Sequence, residues 1–252
     1  MARSCRALLL IASLAVTMMA RAEEATSLRI GTEVNFASAY IWRGIPYNND
    51  AQIRPSLTLE YQAMALRIEG FVDTTNVIGR EDNFSEVDYT LSYSHDCTER
   101  LTVSAGVIYY DYPGVDFAAD AEVFLQLQGR GPAQPVLTIY YDFRNVDGFY
   151  VNLGVSHEWE LSAVHEDLFL MADTSLGWAS SNFGQNTLGA KDDVFVALSP
   201  GLELEYRASE RLHFGWYARY DHLLDSEVRD NTKAYGNNAD NFSFGARVSY
   251  WF

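Results

Sequence analysis

The sequence predicts an all-β fold: a single transmembrane antiparallel up-and-down β-barrel of twelve strands. Three observations carry this expectation. First, the segment from Phe242 to Phe252 alternates strictly. Phe242, Phe244, Ala246, Val248, Tyr250 and Phe252 fall on one face, and Ser243, Gly245, Arg247, Ser249 and Trp251 on the other. Period-two patterning makes one strand face apolar and the other polar. Second, segments of about ten residues with the same pattern recur along the chain, which is the length that crosses a bilayer at a tilt. Third, no apolar run after residue 22 is long enough for a membrane helix. A chain that crosses lipid with strands must close them into a barrel, because an open edge leaves backbone groups unpaired.

Residues 1–22 read as a secretory signal peptide. Arg3 and Arg6 open it, an apolar stretch follows from Ala7 to Met19, and Ala20-Arg21-Ala22 forms a cleavage site. Residues 23–252 are then the barrel. Removing the leader takes away three Arg and no acids, so the net charge falls from -16 to -19. That charge disfavours nucleic acid, whose phosphates need Lys and Arg, so no nucleic-acid partner is expected. Cys5 leaves with the leader and Cys97 stays alone, so no internal disulfide forms.

The first strand spans residues 28–42. Leu28, Ile30, Val34, Phe36, Tyr40 and Trp42 lie on its apolar face, opposite Arg29, Glu33 and Asn35. The second, 52–61, sets Ile53, Leu57, Leu59 and Tyr61 against Arg54, Thr58 and Glu60. The third, 64–73, sets Met64, Leu66, Ile68 and Val72 against Arg67, Glu69 and Asp73. The fourth, 85–94, sets Val87, Tyr89, Leu91 and Tyr93 against Glu86, Asp88 and Thr90. Further strands follow at 101–111, 118–128, 135–143, 149–159, 167–178, 194–206, 212–221 and 242–252. In the ninth, 167–178, the second half alternates weakly.

Connections support the same topology. Bacterial barrels have short periplasmic turns and longer outer loops. The links after even-numbered strands are short, at 62–63, 96–100, 129–133, 161–166 and 207–211. Those at 43–51, 74–84, 179–193 and 222–241 are longer, while 112–117 and 144–148 are not. Tyr61, Tyr93, Tyr109, Trp159, Trp178, Tyr206, Tyr220, Phe252 and Trp42 sit near strand ends on the apolar face, where interfacial girdles belong. A secreted soluble β-sandwich would share the alternation, but not this combination of leader, terminal strand, loop asymmetry and girdles.

Two segments carry a family resemblance. Ser38-Ala39-Tyr40-Ile41-Trp42-Arg43-Gly44-Ile45 closes the first strand, and Ile108-Tyr109-Tyr110-Asp111-Tyr112-Pro113-Gly114 closes the fifth. Both resemble motifs of the TorF-type porins of Gram-negative outer membranes, S-x-Y-x-[FW]-R-G and Y-Y-x-Y-P-G. Ala39 departs from the pattern, where Asp is common. The resemblance covers most of the mature chain and implies an outer-membrane barrel more firmly than it implies a solute.

In a barrel, the polar strand faces line the interior. Candidate lumen and selectivity residues are Glu33, Glu60, Glu69, Asp73, Glu86, Asp88, Glu122, Glu203 and Glu205, with Arg67, Arg219 and Arg247 facing them. Acids outnumber bases, so a water-filled lumen would favour small cationic or neutral solutes over anions. Two states are open. Either the lumen conducts, or its charges pair and, with inward Phe71, Ile108, Tyr110, Phe124, Tyr140, Tyr150, Tyr217 and Trp251, fill a narrow barrel. The second state suits a non-conducting barrel with a structural or adhesion role carried by its outer loops. Arg43 also has two open roles: a charge folded over the lumen mouth, or a partner for a nearby loop carboxylate. No Ser sits in a nucleophile motif such as G-x-S-x-G and no H-E-x-x-H metal motif occurs, so neither an enzyme nor a cofactor is expected. Expected partners are outer-membrane lipid, lipopolysaccharide, small solutes, and the assembly machinery through the strand from Phe242 to Phe252.

Overall fold

The computed structural model describes residues 28–74, 84–113 and 117–252. The leader reading at 1–22 lies outside the described residues. Twelve antiparallel strands close on themselves. They are β1 (Arg29–Ala37), β4 (Gln52–Tyr61), β5 (Met64–Asp73), β6 (Phe84–Thr98), β7 (Leu101–Asp111), β8 (Asp120–Gly129), β9 (Val136–Asp142), β10 (Gly148–Glu160), β11 (Leu168–Ala179), β12 (Val194–Arg207), β13 (Leu212–Leu223) and β14 (Asp240–Trp251). A separate hairpin, β2 (Tyr40–Trp42) with β3 (Ile45–Asn48), interrupts the order. Each barrel strand pairs with its sequence neighbour, and the seam joins β1 to β14 from Gly31↔Trp251 to Ala37↔Gly245.

The register fixes which face is which. Cross-strand partners share a face, and the chain of partners Arg54↔Asn35↔Arg247↔Gly215↔Glu205 runs through five strands on the inside. The other parity faces out. Phe242, Phe244, Leu202, Leu153 and Trp216 are all about half exposed or more there. A closed barrel that shows this apolar belt outside and gathers its charges inside is built for lipid. The expected girdle residues Tyr61, Tyr93, Tyr109, Trp159, Trp178, Tyr206, Tyr220 and Phe252 share this outward parity.

Two departures from simple alternation matter. The predicted first strand, 28–42, is too long by five residues. The backbone bends at Ser38 and Ala39, and the remainder becomes the β2–β3 hairpin. Trp42 is therefore not an interfacial girdle residue: it packs inside, against the buried cluster around Phe183. The second departure is a bulge between β11 and β12, where Leu176 pairs with Leu198 but Trp178 pairs with Phe195. The extra residue lets Val196 and Ala197, neighbours in sequence, both be buried.

Outer loops fold over part of one barrel end. The turn Ser181–Phe183 (α1) continues as a π-helix over Gly184–Leu188, and helix α2 spans Ser226–Ala234. The Asp225 side chain caps α2 by accepting from the N–H groups of Glu227 and Val228. Phe183, Leu188, Val196, Leu223 and Val228 form the apolar heart of this cap, with Trp42 and Ile45 packed against it. Each of the five is at most 2 % exposed.

Candidate functional site

The hairpin enters the lumen because its tip can turn tightly. Arg43 has φ of 54° and Gly44 φ of 83°, left-handed conformations that Gly adopts without cost. A Cβ on Gly44 would lie 2.3 Å from that of Ala197, so the backbone also approaches the wall closely. At the other end of the hairpin, the Asn48 and Gln52 side-chain amides both donate to Asp73 Oδ1, at 2.9 and 2.6 Å.

The turn directs Arg43 into the barrel. Its Nη1 and Nη2 donate to Glu122 Oε1 and Oε2 at 2.9 and 2.6 Å. This is the two-pronged geometry that guanidinium and carboxylate favour. Tyr110 Oη donates to the same Glu122 carboxylate at 2.9 Å. The rings of Trp42, Tyr150, Tyr140 and Phe183 lie 4.2, 4.3, 4.6 and 5.0 Å from the guanidinium carbon. Ring faces attract cations, most strongly where water is excluded. The Arg43 and Glu122 side chains are 8 % and 2 % exposed. The loop-carboxylate partner expected for Arg43 is thus corrected: the partner is a wall residue on β8, across the barrel from β1.

Below this pair, most of the remaining candidates form a belt of ion pairs. Arg247 reaches Glu203 at 2.6 Å, Glu205 at 3.2 Å and Glu33 at 3.3 Å. Arg67 lies 3.4 Å from both Glu33 and Glu69. Arg219 meets Asp173 at 2.7 Å, and Arg29 meets Glu60 at 3.1 Å. Most of these groups are only half-buried, so each pair contributes little alone and more as a network. Asp73, Glu86 and Asp88 also face inward but, among the described residues, join no arginine. Sequence reasoning did not single out Arg207, which adds Glu158 and Glu205 at 2.7 and 2.9 Å. Its place at the end of β12, on the same parity as Glu203 and Glu205, was the available signal.

The lumen is divided at Arg43. An outer vestibule of about 610 Å3 is lined by Trp42, Tyr110 and Glu122 among others. Cavities of about 330 and 270 Å3 at mid-barrel both include Arg43 in their walls. A further space of about 460 Å3 lies lower, beside Asp173, Glu203, Tyr217 and Arg219. The Arg43–Glu122 pair stands between the vestibule and the rest. Sequence alternation sets the wall residues on one strand face; it does not reveal that the segment carrying Arg43 leaves the wall.

No protein-family model matches this chain, and no curated protein does. Solved structures do match. The NanC porin is 12 % identical, with a TM-score of 0.55 over 88 % of this chain and 98 % of that one. The fold is that of an outer-membrane porin barrel. The KdgM porin is 9 % identical, with a TM-score of 0.54 over 89 % and 99 % of the two chains. An outer-membrane channel from Pseudomonas putida F1 is 12 % identical, with a TM-score of 0.52 over 91 % and 97 %. At such identities the likeness is one of architecture. What these chains share is the closed barrel that crosses an outer membrane in the solved porins.

Proposed function

We propose that this protein is a narrow outer-membrane channel for passive diffusion of small cationic or neutral solutes. The observation that carries the reading is the polar lumen, whose cavities lie on both sides of the Arg43–Glu122 pair. Its walls are rich in carboxylates, and a field of that sign concentrates cations. Glu33, Glu60, Glu69, Asp73, Glu86, Asp88, Glu203 and Glu205 would set the ion preference, tempered by Arg67, Arg219 and Arg247. The two motifs that resemble those of TorF-type porins support this class. The leader at 1–22, the assembly machinery reading the strand from Phe242 to Phe252, and lipopolysaccharide around the outer girdle belong to the same proposal.

Reconstitution into a planar bilayer tests it. Expected are discrete conductance steps and a reversal potential displaced toward the cation in a salt gradient. Absence of steps at every voltage would overturn the channel. That outcome would favour a closed barrel with a structural or adhesion role in its loops, a reading supported by the hairpin and apolar cap inside the outer mouth.

A further inference from the structure

The outer vestibule has a wall chemistry that passive diffusion does not require. Its volume, about 610 Å3, is that of a small-molecule site. The rings of Tyr40, Trp42, Tyr47, Tyr110, Tyr112 and Phe183 line it, together with Asp73, Glu86, Asp120, Glu122 and Asp142. Among the described residues, no Lys, Arg or His lines it.

The carboxylates divide into matched and unmatched. Glu122 is matched by Arg43. Asp142 Oδ1 accepts from the backbone N–H groups of Arg144, Asn145 and Val146, and Asp73 Oδ1 from the amides of Asn48 and Gln52. None of those donors is charged. Glu86, 7 % exposed, has Tyr40 and Asp88 beside it and, among the described residues, no cation. Gln52, 2 % exposed, turns Nε2 to Asp73 and leaves Oε1 without a hydrogen-bond partner.

A buried carboxylate without a cation is costly, so the cavity must take up either protons or a cation. Aromatic faces favour the cation. An unsatisfied amide oxygen calls for an N–H donor. A hard metal ion would want a shell of oxygens rather than rings. We infer that the vestibule binds an organic cation: a small amine with an N–H-bearing ammonium head on an apolar or aromatic body. The head lies by Glu86, Asp73 and Gln52, and the body stacks against Tyr40 and Trp42. The inference rests on the cation-favouring channel proposed above and names its solute class.

Calorimetry on the purified, detergent-solubilised protein tests it with three probes of similar size: 2-phenylethylammonium, neutral 2-phenylethanol and anionic phenylacetate. The amine is expected to bind about tenfold or more tightly than either, the worth of one charge-assisted contact. Glu86→Gln should weaken the amine by a similar factor, while Asp96→Asn, at the opposite end of the barrel, leaves it unchanged. Gln52→Leu provides a second variant: it should weaken the amine more than the alcohol, since a charged donor makes the stronger bond to the lost oxygen. Equal binding of amine and alcohol would overturn the site, since the carboxylates would then hold protons instead. Equal weakening by Glu86→Gln and Asp96→Asn would also overturn it, since a diffuse field would then be responsible. Calorimetry does not depend on conduction, so amine binding without conductance would defeat only the channel, and conductance without amine binding only the site.

Discussion

Arg43 and Glu122, 79 positions apart in sequence, meet inside the barrel through two hydrogen bonds and exclude almost all water from their contact. Removing one member of a buried ion pair strands the other's charge, which costs about 3–5 kcal/mol. Glu122→Gln should therefore destabilise the hairpin and raise single-channel conductance. Arg43→Ala combined with Glu122→Ala should be less destabilised than the single changes add up to. Bilayer recordings and a double-mutant cycle on unfolding check both statements.

Gly44→Val tests the turn separately from the charge. The substitution forces a branched side chain into a positive φ and against Ala197. A loss of about 2 kcal/mol or more is expected from the backbone strain alone. Denaturant unfolding of the folded barrel measures it, and a change within 0.5 kcal/mol, about the level of an ordinary surface substitution, would remove the strain argument.

Arg247 touches three carboxylates, Glu33, Glu203 and Glu205. Arg247→Gln should uncover their charge and move the reversal potential further toward the cation. Glu203→Gln should move it the other way. Unchanged reversal potentials in both variants would show that the belt lies off the conducting path.

The cap carries a pH-sensitive contact outside the barrel wall. The backbone N–H of Lys191 donates to the Glu227 carboxylate, which holds that carboxyl below its usual range; the Lys191 ammonium adds to the effect. A lowered folded-state value means the stabilisation is complete above the unfolded value, about 4.3 for Glu, and is lost as pH falls through the folded one. Hydrogen exchange at the Lys191 amide should accelerate over that acidic interval. In Glu227→Gln, the acid dependence should vanish.

Much of the wall was legible in the sequence because a strand has only two faces. Arg67 and Glu69, or Glu203 and Glu205, had to point the same way once their strands were recognised. The hairpin was not legible for the same reason. Tyr40 and Trp42 continue the alternation of Phe36, so the pattern alone does not mark the bend at Ser38. Length does not mark it either, since β6 runs as a continuous wall strand of fifteen residues. The bulge near Trp178 falls where alternation weakens, but which partner strand gains the residue depends on pairing, a non-local property. The match of Arg43 to Glu122 likewise depends on barrel closure, which no local pattern encodes.

The hairpin hangs directly from β1, the strand that seals the cylinder against β14. Its anchor, Glu122, belongs to the opposite side of the wall. Arg43 can reach that anchor only after the sheet has curled enough to bring the two sides face to face. The ion pair is thus a cross-brace that only a curled sheet can hold, a contact that belongs to a vessel with an inside and not to an open sheet.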